Sequence, residues 1–223
     1  MKILIVFAHP EQKSFNGAMF DTTIETLRKS GHQVKTSDLY EMNFNPVSNR
    51  HNFTTVQDHS YLKLGLEEIY ATKHNGFINT IADEQEKLEW CDLMIWQFPL
   101  WWSSVPAILK GWVDRVFASG KIYGGGHIPF VSGKFIGKKA LLSITTGSPA
   151  AYYVPTGNYG DIEGILRPVH RGMLEYLGFS LLTPQVNYSV AHLSDQDRKD
   201  LLENWSNRLE NLFDEKQING GRY

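Results

Sequence analysis

One cysteine is all the thiol chemistry this 223-residue chain possesses, so no intrachain disulfide framework can hold it together. Long apolar runs are missing as well: no segment approaches the roughly 20 residues a bilayer-spanning helix needs. The opening MKILIVFAHPEQ carries one lysine and an apolar run that ends at Ala8, too short for the core of a secretory leader. Charge of one sign is not in excess either, since 22 Lys and Arg stand against 24 Asp and Glu for a net charge of −2. No basic cluster reaches the density that a nucleic acid or an anionic membrane surface demands. These absences predict a cytoplasmic protein with no nucleic-acid partner and no membrane insertion, acting on small molecules. Chemical motifs are missing too. The loop AHPEQKSFN lacks glycine and is neither a dinucleotide fingerprint nor a Walker loop, and residues 133–138 have the wrong spacing for one. There is no GxSxG element, and the histidines are not spaced with cysteines or paired carboxylates as metal ligands, so no metal is expected. Cys91 precedes an apolar run without an activating pattern and reads as a small buried thiol.

What is present is organised around residues 92–117, DLMIWQFPLWWSSVPAILKGWVDRVF. A β-prone run over 93–98 breaks at Pro99, passes through Trp101 and Trp102, and resumes as a helix near Pro106. Upstream, 3–8 is a continuous apolar run of the kind found in strands buried on both faces. Apolar residues at helical intervals then predict a helix over 15–30 that Gly31 stops, and 33–39 reads as the second strand. Residues 40–75 are irregular, with a turn at NFNP and a short helix at 62–70; a helix over 78–90 leads into the third strand. After a helix over 105–118 and a glycine-rich excursion come a fourth strand at 140–144 and a helix over 161–176. A fifth strand over 179–190 is interrupted by Pro184, and a last helix over 195–213 is capped by Ser194. Five strands alternating with helices predict an α/β fold, one domain over 1–223 with a doubly wound parallel sheet and a loose tail from Gln217.

In such a sheet the loops after strands one, three and four open on one crevice. Ser14, Phe15 and Asn16 start a helix whose free N–H groups and dipole favour a phosphate, although Ser14 also fits a plain helix cap. His9 suits either a loop hydrogen bond or a ligand contact. Pro99, Leu100, Trp101 and Trp102 could form one wall for a flat ring or pack in a core or dimer contact. Thr145, Thr146 and Gly147 could bond a polar ring edge. Together these loops suit a bound flavin. The charges over 195–210 read as a solvated helix face from which Arg198 alone is held as a site candidate.

These residues carry a resemblance. AHPEQKSFN at 8–16, SDLYEMNFNP at 37–46, the run 84–117, KKALLSITTG at 138–147 and YGD at 159–161 resemble the NAD(P)H:quinone oxidoreductases of the DT-diaphorase type, within the flavodoxin-like superfamily. The likeness covers about residues 2–213. It implies a sheet of order 2-1-3-4-5 with helices on both faces, and a homodimer with its active sites at the subunit contact. It also implies FAD as cofactor, NAD(P)H as donor, a quinone or other small electrophile as acceptor, and ping-pong turnover. His9, Ser14, Phe15 and Asn16 match the family's pyrophosphate loop, Pro99 to Trp102 the loop beneath the ring, and Thr145, Thr146 and Gly147 the loop at its polar edge. Arg198 matches an arginine near the adenine half, which favours FAD over FMN. Trp102, Ser103, Tyr123, Tyr153 and Tyr159 match the substrate pocket, with Tyr153 and Tyr159 in the catalytic positions. Two residues depart from the pattern: Tyr159 stands where the family has a histidine, and Ser103 replaces a bulky aromatic. The competing readings are an FMN-dependent azo or nitro reductase, a regulatory flavoprotein subunit of a potassium efflux system, and a flavodoxin-like electron carrier.

Overall fold

The structure, a computed structural model, describes residues 1–221. Six strands and six α-helices follow one another along the described residues: β1 (Lys2–Phe7), α1 (Phe15–Lys29), β2 (Gln33–Asp38), α2 (Leu64–His74), α3 (Asn79–Trp90), β3 (Leu93–Pro99), α4 (Ala107–Val116), β4 (Lys139–Thr145), α5 (Ile162–Val169), β5 (Ser180–Leu181), β6 (Gln185–Asn187) and α6 (Asp195–Glu210). All pairings in the sheet are parallel, in the order β2-β1-β3-β4-β5, with β6 also on β4. The expected order is therefore the observed one. The expected fifth strand is two short ones, because a proline has no N–H for the ladder and the chain detaches from β4 around Pro184 before rejoining it at Gln185.

Alternate residues of the central strands face opposite layers, and both layers are apolar. Ile3, Ile5, Phe7, Leu93 and Ile95 pack with Met19, Leu27 and Trp205 from α1 and α6. Leu4, Val6, Met94, Trp96 and Phe98 face Leu88, Trp112 and Leu166 from α3, α4 and α5. The buried tryptophans keep their N–H groups satisfied, Trp205 by Thr23 Oγ1 at 2.8 Å and Trp112 by Glu84 Oε2 at 2.8 Å. Cys91 is fully buried, and burial pushes its thiol up to about 12, so the bland reading of this residue holds. No helix among the described residues is long and apolar enough to cross a membrane.

Several expected boundaries shift for local reasons. The short helix of the irregular region runs Leu64–His74, ending at Asn75 in the left-handed conformation. The helix expected over 161–176 is α-helical only to Val169; a π-helical turn (His170–Leu174) and a 3-10 turn (Glu175–Leu177) complete it before Gly178, φ +97°. Pro168 withdraws one donor from the ladder, which resumes one residue wider. The expected loose tail is pinned over its described part: Ile218 N–H donates to Leu181 O at 2.9 Å and Gly220 N–H to Glu175 Oε1 at 3.0 Å. Ile218 is apolar and covers the sheet end, which gives the segment a reason to stay. Arg222 and Tyr223 lie outside the described residues.

The ends of β1, β3 and β4 are tied together by side chains. Gln97 Nε2 donates to Asn16 Oδ1 at 2.8 Å, and Asn16 Nδ2 donates to Thr145 Oγ1 at 2.7 Å. All three residues are buried. A second tie fixes the loop before α1: a Cβ at Gly17 would overlap the Gln12 carbonyl, so only glycine lets the loop fold back onto the helix. On the other side of the molecule the excursion between β2 and α2 is clamped by buried Arg115, whose Nε donates to Asn52 Oδ1 at 2.8 Å and Nη1 to Asn45 O at 2.5 Å. Glu68 of α2 is also buried; its Oε2 accepts the Ser119 N–H at 2.7 Å, and no cation pairs with it among the described residues.

Two predictions follow from these buried polar groups. In a double-mutant cycle, Asn16→Ala and Thr145→Val each destabilise, and their effects couple by about 1 kcal/mol in urea denaturation, because either change leaves a buried partner unbonded; simple additivity would refute the tie. Burial pushes the Glu68 carboxyl from 4.5 to about 7. Between those values the native state holds a proton that the unfolded chain has lost, so stability falls as pH rises through the window. Glu68→Gln removes that loss, and the variant's advantage over wild type grows between pH 5 and 8 by on the order of 3 kcal/mol in denaturation experiments.

Candidate functional site

At the carboxyl ends of β1, β3 and β4 lies a cleft of about 540 Å³. Its first wall is the loop after β1 and the start of α1. Ser14 is the N-cap, its Oγ accepting the Gly17 N–H at 3.1 Å, which leaves its own proton free to donate. Phe15 and Asn16 follow as the first helical residues, whose N–H groups precede the intrahelical ladder and face the positive end of the dipole. The Asn16 carboxamide itself is committed to Gln97 and Thr145, so its backbone is what it can offer a ligand. His9 lies at the same wall, its Nδ1 3.0 Å from both the N–H and the carbonyl oxygen of Glu11, so the loop backbone fixes the ring with Nδ1 either accepting or donating. Beside it stands Trp101, with ring centroids 6.3 Å apart.

The second wall comes from Pro99, Leu100 and Trp101. Proline ends β3, and the chain turns tightly: Trp101 and Ser104 exchange backbone hydrogen bonds of 3.1 and 3.0 Å. The two central residues, Trp102 and Ser103, have φ of +52° and +55°, the pattern of a type I′ turn built without the usual asparagine and glycine. This left-handed turn carries the Trp102 side chain outward, where it is 100% exposed and does not line the cleft of its own chain.

The third wall is Thr145, Thr146 and Gly147. Thr146 N–H donates to Asn187 O at 3.0 Å and its hydroxyl to Ser148 O at 2.8 Å, which holds the loop against β6. At Gly147 nothing stands within 4 Å of where a Cβ would lie, so a flat ring can approach bare backbone there. Just beyond, Ser148 Oγ donates to Tyr159 Oη at 3.3 Å. Tyr153 packs against Tyr159 and Tyr188, with centroids 5.3 and 5.5 Å away. Burial, and then the neighbouring Tyr153, raise the Tyr188 phenol. Tyr153 and Tyr159 thus border the third loop but are not part of the cleft lining.

Of the candidates from sequence, the cleft gathers His9, Ser14, Phe15, Asn16, Pro99, Leu100, Trp101, Thr145, Thr146, Gly147 and Arg198. Arg198 contributes mainly its stem, because Nη1 donates to Leu193 O at 2.6 Å and Nη2 to Asp195 Oδ1 at 2.6 Å. Ser103 and Tyr123 do not line it. Tyr123 sits after α4, edge-on to Tyr176 at 6.2 Å. Lys13, Lys199 and Leu202 line the cleft and were not anticipated. Two signals pointed to them: Lys13 immediately precedes the helix cap, and Lys199 and Leu202 lie on the same helical turn as Arg198. Among the described residues no group of three or more His, Cys, Asp and Glu could hold a metal ion.

Comparison with known proteins agrees with this architecture. The family model for the flavodoxin-like fold matches residues 1–209. The rat protein named NAD(P)H dehydrogenase [quinone] 1 is 43% identical over 218 residues, 97% of this chain and 79% of its own length. Human ribosyldihydronicotinamide dehydrogenase [quinone] is 41% identical over 220 residues, 97% of this chain and 94% of its own. A Klebsiella pneumoniae protein described as a quinone reductase superposes with a TM-score of 0.94 at 38% identity, covering 98% of this chain and 87% of that one. By strand order, matched span and relatives, the chain belongs to the NAD(P)H:quinone oxidoreductase family of flavodoxin-like proteins.

Proposed function

We propose that this protein reduces a quinone, or another small electrophilic acceptor, with NAD(P)H by way of FAD held in the cleft. The observation that carries this reading is the meeting of three unlike surfaces at one sheet edge: a helix N-terminus, an apolar aromatic ledge and a small polar loop with open space at Gly147. Such a trio fits a tricyclic ring bearing a phosphate chain. Beyond the helix start the lining continues through Val190, Ala191, Lys199 and Leu202, which supports a dinucleotide over FMN.

When bound, the flavin would take hydride from the nicotinamide and hand two electrons to the quinone. The chain's own residues bind and orient it. The Phe15 and Asn16 N–H groups, the Ser14 hydroxyl and Lys13 neutralise a pyrophosphate, with the His9 imidazole beside them. Leu100 and Trp101 support one ring face and exclude water from it. Thr146 and Gly147 meet the polar edge, and Tyr153 and Tyr159 donate O–H bonds where negative charge gathers. Where the family has an imidazole, Tyr159 therefore offers that charge a phenol O–H donor.

The reading includes a homodimer. Ile128, Phe130, Val131 and Ile136 are 58, 48, 70 and 63% exposed around the loop that carries Tyr123, a cluster of apolar surface that a second copy would cover. Tyr123 then serves the cleft of that second copy, which accounts for its absence from the lining of its own.

Acid-released cofactor is expected to co-migrate with FAD, and initial-rate plots for NAD(P)H against a quinone to run parallel; released FMN overturns the dinucleotide, and absence of any flavin overturns the whole reading. Tyr159→His is expected to introduce a pH dependence in the reductive half-reaction near the imidazole pKa of about 6.5. A profile identical to wild type would remove Tyr159 from the catalytic pair.

A further inference from the structure

A second cavity, of about 550 Å³, is as large as the cleft and shares none of its lining residues. It lies between α5 with its π-helical turn on one side and, on the other, β6 and the segment 218–221. Two basic side chains of one helical face, three residues apart, line it. Arg167 is half-buried, and its Nε is enclosed with no hydrogen-bond partner among the described residues. Arg171 and Arg208 close by are paired with Glu175 and Glu215, whereas Arg167 has no such carboxylate among the described residues. His170 is 5% exposed, and its ring makes no hydrogen bond among the described residues. An enclosed donor without an acceptor, as at Arg167 Nε, is uncommon in folded proteins and calls for a partner. Widened helical turns of this type recur where a side chain has been re-aimed for function.

The remaining walls define what that partner is. Ile162, Leu166 and Val186 are apolar. Gly220 and Gly221 present bare backbone, since a Cβ at Gly220 would come within 2.8 Å of Glu175 Oε2, already held by Arg171, and 3.2 Å of His170 Cβ, and one at Gly221 within 3.3 Å of Arg167 Nε. Burial holds the His170 imidazole down at about 4, so it is a neutral donor and Arg167 supplies the single positive charge. Exposed Glu163 at the rim opposes a second negative charge. One cation, one neutral N–H and a hydrocarbon wall match a monoanion with an apolar body. We propose that this cavity is a binding site for a small organic carboxylate, its anionic end on Arg167 and His170 and its hydrocarbon against Ile162, Leu166 and Val186. The site is separate from the redox reading and does not rest on it. Tyr188 forms part of the wall and packs on Tyr153, so an occupant would touch the back of the tyrosine cluster.

The test uses phenylacetate as probe and phenylacetamide as its neutral counterpart, with the protein as purified. Calorimetry is expected to show one saturable phenylacetate site per chain and at least tenfold weaker binding of the amide. Arg167→Met is expected to weaken phenylacetate at least tenfold, and Arg167→Lys to restore part of the loss. On wild-type protein, the proton resonance of the His170 ring followed against pH is expected to show its pKa rising by about one unit when phenylacetate is bound, because an adjacent anion favours imidazolium. That measurement decides even where a variant fails to fold. Absence of saturable binding, binding indifferent to Arg167→Met, or a His170 titration unmoved by phenylacetate overturns the proposal. So does binding that appears only when the chain is cut after Gly221, since the following residues would then be the occupant.

Discussion

Two carboxamides and a hydroxyl, buried in a line from Gln97 through Asn16 to Thr145, decide where the rest of the site can be. The sheet fixes strand ends through its ladder, pairing Phe7 with Gln97 and Pro99 with Thr145, but the ladder stops where the loops begin. Past that point only side chains can hold one loop to the next. The Asn16 carboxamide accepts from one strand end and donates to another, so the start of α1 is locked to both β3 and β4 at once. Away from water such bonds are strict in direction, and a displaced member would leave a buried group unbonded. The three walls of the cleft therefore behave as one rigid rim.

Much of this was readable beforehand where the signal is local. The unbroken apolar run of β1 announced a strand covered on both faces, and Ser14 and Ser194 announced helix starts that both proved to be caps. Pro184 marked the place where the last strand parts. The gathering of three loops followed from strand order alone, which is a topological rule and needs no side-chain detail. What stayed hidden depends on residues far apart or on backbone states that composition disfavours. Asn16 meets partners 81 and 129 residues away, and nothing near it in sequence distinguishes a brace from a ligand. Trp102 and Ser103 adopt left-handed backbone that their own preferences oppose, so the outward swing of the indole could not be anticipated. Arg198 is in the expected place with its guanidinium already engaged, a distinction only carbonyl positions can make.

The buried charges show two different solutions. Glu84 has Lys87 at 2.6 Å and the Trp112 N–H at 2.8 Å, so its charge is matched and the group ties α3 to α4. Glu68 has a single backbone donor and no cation among the described residues, and its proton affinity rises accordingly. The first arrangement is an ion pair reinforced by an indole N–H, and the second leaves a carboxyl whose protonation changes near neutral pH. Both lie on the layer opposite α1 and α6, away from the cleft, so the rim and the titrating core are separate parts of the same domain.

The left-handed pair at Trp102 and Ser103 also limits how this family member can diversify. Valine, isoleucine and threonine are poorly tolerated at such backbone angles, while glycine, asparagine and aspartate are welcome. Randomised libraries at these two positions would thus be filtered first by main-chain conformation and only then by what the side chains touch. The flanking Leu100 and Trp101 are freer to vary, since their backbone places no such restriction on the residues that replace them.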